Sequence, residues 1–132
     1  MSARLFCGID WGTTHHAFDV VDEDGKSIQS GEFRNRGDEI DAFIKRAKRW
    51  GATDDVAFAI EAKDHIIISG LMLAGFQVFH LNPKKCDRFR DRTAASGSKT
   101  DALDALGLAS SLRTDIGSFH VIDARGADLF RI

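Results

Sequence analysis

Four carboxylates, Asp10, Glu61, Asp101 and Asp104, stand where the local sequence would carry them toward one edge of a folded domain. Gathered in a half-buried place, such groups repel one another and lose hydration, and a divalent cation relieves both penalties. Their hard oxygen donors suit Mg²⁺ or Mn²⁺. One or two such ions can serve, and a pair ~3.5–4 Å apart clamps the attacking and leaving oxygens of a phosphodiester. The chemistry this pattern could do is therefore metal-assisted reaction at phosphate. Each acid alone has a plainer role. An aspartate at a strand end often caps a turn, and aspartates at i and i+3 near a helix start stabilise its dipole. Only the combination of order, spacing and element type is specific.

The elements that would position these acids can be read along the chain. Residues 5–10 have the pattern of a buried first strand, which places Phe6, Gly8 and Asp10 on one face. Gly12-Thr13-Thr14 is a turn, 15–21 a second strand, Asp22-Glu23-Asp24-Gly25 a hairpin turn and 27–34 a third strand, together an antiparallel meander. Ile40, Phe43, Ile44 and Ala47 recur at helical spacing, with Gly51 as a stop. Residues 56–60 form a short apolar strand that delivers Glu61, at the same edge as Asp10 if the two strands are neighbours. A helix over 66–74 stops at Gly75, and 76–81 is another strand, followed by Asn82-Pro83 and a basic helix or loop over 84–92. Thr100 is predicted to cap a long final helix through Leu112. On that helix Asp101, Asp104, Ala105, Leu108 and Leu112 fall on one stripe, with the two aspartates heading its apolar part. Three strands, helix, strand, helix, strand, helix predicts an α/β domain, a mixed five-stranded sheet flanked by helices, in the order an RNase H-like (RuvC-like) fold requires.

The whole chain is compatible with this. Its 132 residues suit one domain, and 43% hydrophobic with 29% charged residues excludes a disordered tail or a membrane protein. No apolar stretch approaches the length of a membrane span, and the N-terminus lacks a secretory signal, so a cytoplasmic protein with no membrane partner is expected. A net charge of −2 argues against binding nucleic acid through bulk charge. Charge is nevertheless uneven: six basic and two acidic residues lie between Lys84 and Lys99, and Lys45, Arg46, Lys48 and Arg49 form a second basic set. Cys7 and Cys86 have no zinc-site spacing and read as bystander thiols. His15 and His16, adjacent on a strand, point to opposite faces and cannot share a metal. Residues 1–125 would make the acidic domain and 126–132 the start of a linker helix to a further domain.

Gly8-Ile9-Asp10, Ile60-Glu61-Ala62, Asn82-Pro83 and Lys99-Thr100-Asp101-Ala102-Leu103-Asp104-Ala105 resemble the DEDD insertion-sequence transposases, the Piv/MooV-like recombinases of insertion sequence family one-ten. The resemblance covers nearly the whole chain, and Lys-Thr-Asp-x-x-Asp-Ala is its most specific piece. It implies an N-terminal RuvC-like domain whose Asp-Glu-Asp-Asp tetrad falls on Asp10, Glu61, Asp101 and Asp104. It also implies action on DNA, a structured bridge RNA as guide, and a C-terminal domain bearing a nucleophilic serine that lies beyond this sequence. By the same resemblance Lys84, Lys85, Arg88, Arg90 and Arg92 would face nucleic acid near the site, and Lys99, beside Asp101, would contact phosphate. Assembly as a homo-oligomer is expected.

Other readings use parts of the same pattern. Gly8-Ile9-Asp10-Trp11-Gly12-Thr13-Thr14 is similar to the first phosphate loop of sugar kinases in the actin-like ATPase superfamily, but that reading leaves Lys99–Ala105 unexplained and needs a second lobe. A stand-alone RuvC-type Holliday-junction nuclease would use the same four acids. A non-catalytic binding or dimerising module would use them only to hold a structural cation.

Overall fold

The chain begins with strands joined by tight turns, β1 (Leu5–Asp10), β2 (His15–Val21) and β3 (Ser27–Arg34). A computed structural model describes residues 3–61, 65–81 and 104–122. The β2–β3 hairpin closes where sequence places its turn. The Asp22 carboxylate accepts from the backbone N–H groups of Asp24 and Lys26, each at 2.9 Å, and Gly25 takes φ +87°, a left-handed conformation that favours glycine. Beyond β3 come α1 (Gly37–Ala47), β4 (Val56–Ile60), α2 (His65–Leu73), β5 (Gln77–Leu81), α3 (Ala105–Thr114) and β6 (Phe119–Val121). In α1, Asp38 and Glu39 occupy the first turn and Lys45 and Arg46 the last, matching the helix dipole at both ends.

The strands form one mixed sheet in the order β3-β2-β1-β4-β5-β6. The meander is antiparallel, β4 and β5 join β1 in parallel, and β6 returns antiparallel to β5. Parallel strands covered on both faces need apolar side chains in succession, and Val56-Ala57-Phe58-Ala59-Ile60 is buried throughout. α1 lies against β3, α2 against β5 and the two helices touch, all on one face. On the other face α3 crosses β1, β2 and β4. The result is the α/β, RNase H-like arrangement expected from element order.

Two expectations are corrected. The sheet has six strands rather than five, because Phe119–Val121 pairs with Phe79–Leu81 at the edge; three residues are too few to show a period of two. A helix running unbroken from Thr100 to Leu112 is also not what forms. Asp104 has extended backbone angles, φ −78° and ψ 177°, and is the N-cap of a helix that begins at Ala105. Among the described residues no helix is long and apolar enough to cross a membrane.

Candidate functional site

Asp10 is the last residue of β1, and Glu61 directly follows β4. The parallel register pairs Gly8 with Ala59 and Ile9 with Ile60, so its continuation sets Asp10 beside Glu61 at the carboxyl edge of the sheet. Alternation along both strands assigns the two acids to the face that packs on α3, since Phe6, Ala57 and Ala59 lie in that core. The third acid arrives from α3. Asp104 accepts a 2.7 Å hydrogen bond from the backbone N–H of Gly107, which satisfies one of the unpaired donors of the helix start.

What brings Asp104 close is the missing side chain of Gly8. A Cβ there would collide with the carbonyl oxygen of Ala105 and lie 2.6 Å from the Ala109 nitrogen and 2.8 Å from Leu108 Cβ. Helix α3 therefore rests backbone against backbone on β1, one residue pair inward from Asp10. The electrostatic consequence falls on Asp10, which is half-buried. Burial pushes its carboxyl above the ordinary aspartate value, and repulsion from Glu61 and Asp104 raises it further.

Three anionic groups with hard oxygen donors, one of them short of water, are a donor set that fits a divalent cation. The arrangement is not a finished coordination sphere: among the described residues no three His, Cys, Asp or Glu side chains stand ready to hold one ion. Asp104 Oδ1 is engaged by its own helix. The fourth acid, Asp101, lies outside the described residues, as do Lys84, Lys85, Arg88, Arg90, Arg92 and Lys99. Part of the other basic set has local partners on the opposite side of the sheet. Lys45 pairs with Asp41 at 3.2 Å, while Arg46 donates to Gln29 at 2.9 Å and lies over Phe18.

Alternation along β2 puts His15 and His16 on opposite faces. His15 is exposed, but His16 has no exposed surface and is hydrogen-bonded from both ring nitrogens. Its parity with the core residues Phe18 and Val20 was the available signal.

The family model described as a transposase, that of the DEDD transposases of IS110 type, matches residues 7–131. The chain is 36% identical over 123 residues to y4uE of Sinorhizobium fredii, which bears the name of a transposase, covering 90% of this chain and 34% of that protein. It is 31% identical over 128 residues to the mini-circle protein for IS117 of Streptomyces coelicolor, also named as a transposase, covering 93% of this chain and 30% of that one. The chain spans about a third of the length of these curated relatives.

Proposed function

Because this chain belongs to the IS110-type DEDD transposase family, we propose that it is the N-terminal metal-binding and catalytic domain of a DNA transposase or recombinase. The observation that carries this reading is the convergence of Asp10, Glu61 and Asp104 from three separate elements at one sheet edge, where burial and mutual repulsion raise the Asp10 carboxyl.

In this reading Asp10, Glu61, Asp101 and Asp104 hold one or two Mg²⁺ or Mn²⁺ ions. When bound, the metal would neutralise the carboxylates, polarise a DNA phosphate and favour the deprotonated form of an attacking hydroxyl. The residues of the chain have separable tasks. The ends of β1 and β4 fix Asp10 and Glu61 on a rigid sheet, which holds ligand positions better than a loop would. The bond from Gly107 to Asp104 engages one carboxylate oxygen, and the other would serve as the ligand. Lys84, Lys85, Arg88, Arg90, Arg92 and Lys99 contact the phosphate backbone, whose charge the acidic edge would otherwise repel. The relatives are about three times as long. The serine-bearing domain and the guide RNA implied by the family resemblance would complete strand transfer, in a homo-oligomer acting on DNA in the cytoplasm.

Isothermal titration with Mn²⁺ or Mg²⁺ tests the site. Asp104→Asn is the cleanest variant, because asparagine caps a helix about as well as aspartate. It should leave thermal stability nearly unchanged and weaken metal binding about tenfold or more, as should Asp10→Asn, Glu61→Gln and Asp101→Asn. The reading fails if all four variants bind metal as the wild type does. Strand transfer is expected only from a longer protein that carries the C-terminal domain, so efficient recombination by residues 1–132 alone would contradict this division of labour.

A further inference from the structure

The turn that follows Asp10 is held from beneath. Trp11 stacks on the imidazole of His16, with ring centroids 3.4 Å apart and planes 10° from parallel. The backbone N–H of Gly12 donates to His16 Nδ1 at 3.0 Å. Asn35, at the end of β3, donates from its side-chain amide to the Thr13 carbonyl at 3.2 Å and from its backbone N–H to the Thr14 carbonyl at 2.9 Å. His16 Nε2 and Asn35 Oδ1 lie 3.2 Å apart, which joins the two holds into one. Every residue of the turn, from Trp11 to Thr14, is thus fixed by His16 or Asn35.

A backbone N–H can only donate, so Nδ1 must accept and Nε2 carries the proton that goes to the Asn35 carbonyl oxygen. That assignment leaves the Asn35 amide nitrogen for Thr13, in agreement with the observed bond. His16 is completely buried and leans on Phe33 at 5.2 Å, so the ring has little freedom to leave this position. The regular β1–β2 ladder ends at Asp10 opposite Ala17. Beyond that pair the Gly12–His16 bond holds the chain.

We infer that His16 and Asn35 form a clamp that positions Asp10 for metal binding, acting through the Trp11–Thr14 turn from the opposite face of the sheet. His16 is a positioning residue in this scheme, with no contact to metal or DNA required of it. The inference rests on the reading of Asp10 as a metal ligand. Partners that orient ligands are commonly worth about 10- to 100-fold in metal affinity. The clamp therefore has a measurable weight even though its members lie outside the acidic set.

The test measures Mn²⁺ affinity of the full chain together with its melting temperature. His16→Phe keeps the stack on Trp11 and the buried volume but loses both ring hydrogen bonds, and it should bind Mn²⁺ about 10-fold more weakly. His16→Asn restores an acceptor at the position of Nδ1 and should recover most of that loss. Asn35→Ala alters an exposed residue, folds in any case, and should weaken binding to an intermediate degree. Nitrogen chemical shifts of the imidazole should report the Nε2–H tautomer. Wild-type affinity in both Asn35→Ala and a folded His16→Phe, or an Nδ1–H tautomer, overturns the clamp alone. Unchanged binding in Asp10→Asn alone also overturns the clamp, whereas failure of the wild type to bind Mn²⁺, or unchanged binding in all four acid variants, overturns the acidic site and the clamp with it.

Discussion

Beneath α1 and α2 the sheet presents Phe18, Phe33, Phe58 and Ile60 to Phe43, Ile67 and Leu71, whereas beneath α3 it presents Gly8, Ala57 and Ala59 to Ala105, Leu108 and Ala109. Rings fill the first layer: Phe33 and Phe43 stack at 4.4 Å between centroids, and Phe58 meets Phe43 at 6.3 Å and Phe76 at 5.0 Å. Such side chains bury much apolar area, roughly 1.5–3 kcal/mol each. Small residues bury little but let a helix approach closely. The same face also buries Phe6, Phe79 and Phe119, but the carboxylates collect beside the small residues, where α3 meets β1, so aromatic packing supplies stability and this contact supplies proximity.

That division can be broken from either side. Phe58→Ala should have the largest effect on stability, about 3–5 kcal/mol, because the ring is fully buried among aromatic neighbours that cannot close the gap. Molecules that remain folded should bind metal normally, which titration at low temperature would show. Gly8→Ala should cost about 1–3 kcal/mol by overpacking, and unlike Phe58→Ala it should also weaken metal binding by lifting α3 and Asp104 away from Asp10. If Gly8→Ala loses stability and keeps full metal affinity, the link between small residues and the acidic edge is wrong.

A smaller effect depends on pH. The folded-state pKa of Asp10 is raised, so the folded chain holds this proton more tightly than the unfolded chain. The metal-free protein therefore loses stability as pH rises from below the unfolded aspartate value, ~3.9, through the folded one. Asp10→Asn should be more stable than the metal-free wild type at neutral pH, with the difference vanishing as pH falls below that window. Denaturant melts with chelator at several pH values would check the sign. The smallest effect belongs to the exposed Lys45–Asp41 pair on α1, where Asp41→Asn should change stability by about 0.5 kcal/mol at most and metal affinity not at all.

Much of this architecture was legible because it follows from periods and punctuation. Alternation gave β1 and β2, Asp22–Gly25 marked the hairpin, and the spacing of Ile40, Phe43 and Ala47 marked α1. Strand-end positions also placed Asp10 and Glu61 at one edge, given only that β1 and β4 are neighbours. What escaped depends on contacts between distant segments. The capping role of Asp104 turns on where the backbone leaves extended geometry, and the helical stripe drawn through Asp101 and Asp104 assumed that it had already done so. His16 could be assigned to a face but not to Asn35, nineteen residues away along the chain. The nearness of Ala105 to Gly8 is likewise a tertiary fact that no local pattern contains.

The short strand β6 has a consequence of another kind. Phe119–Val121 covers the outer side of β5, and the Ile122 N–H bonds the Val78 carbonyl at 2.9 Å. Without this cover β5 would offer a row of bare donors and acceptors set among Val78 and Phe79, a template for strands of other molecules. These three residues thus guard colloidal behaviour as much as architecture. Trimming the chain before Phe119 would exchange a three-residue border strand for the five-residue β5, a longer border that can grow by recruiting its neighbours.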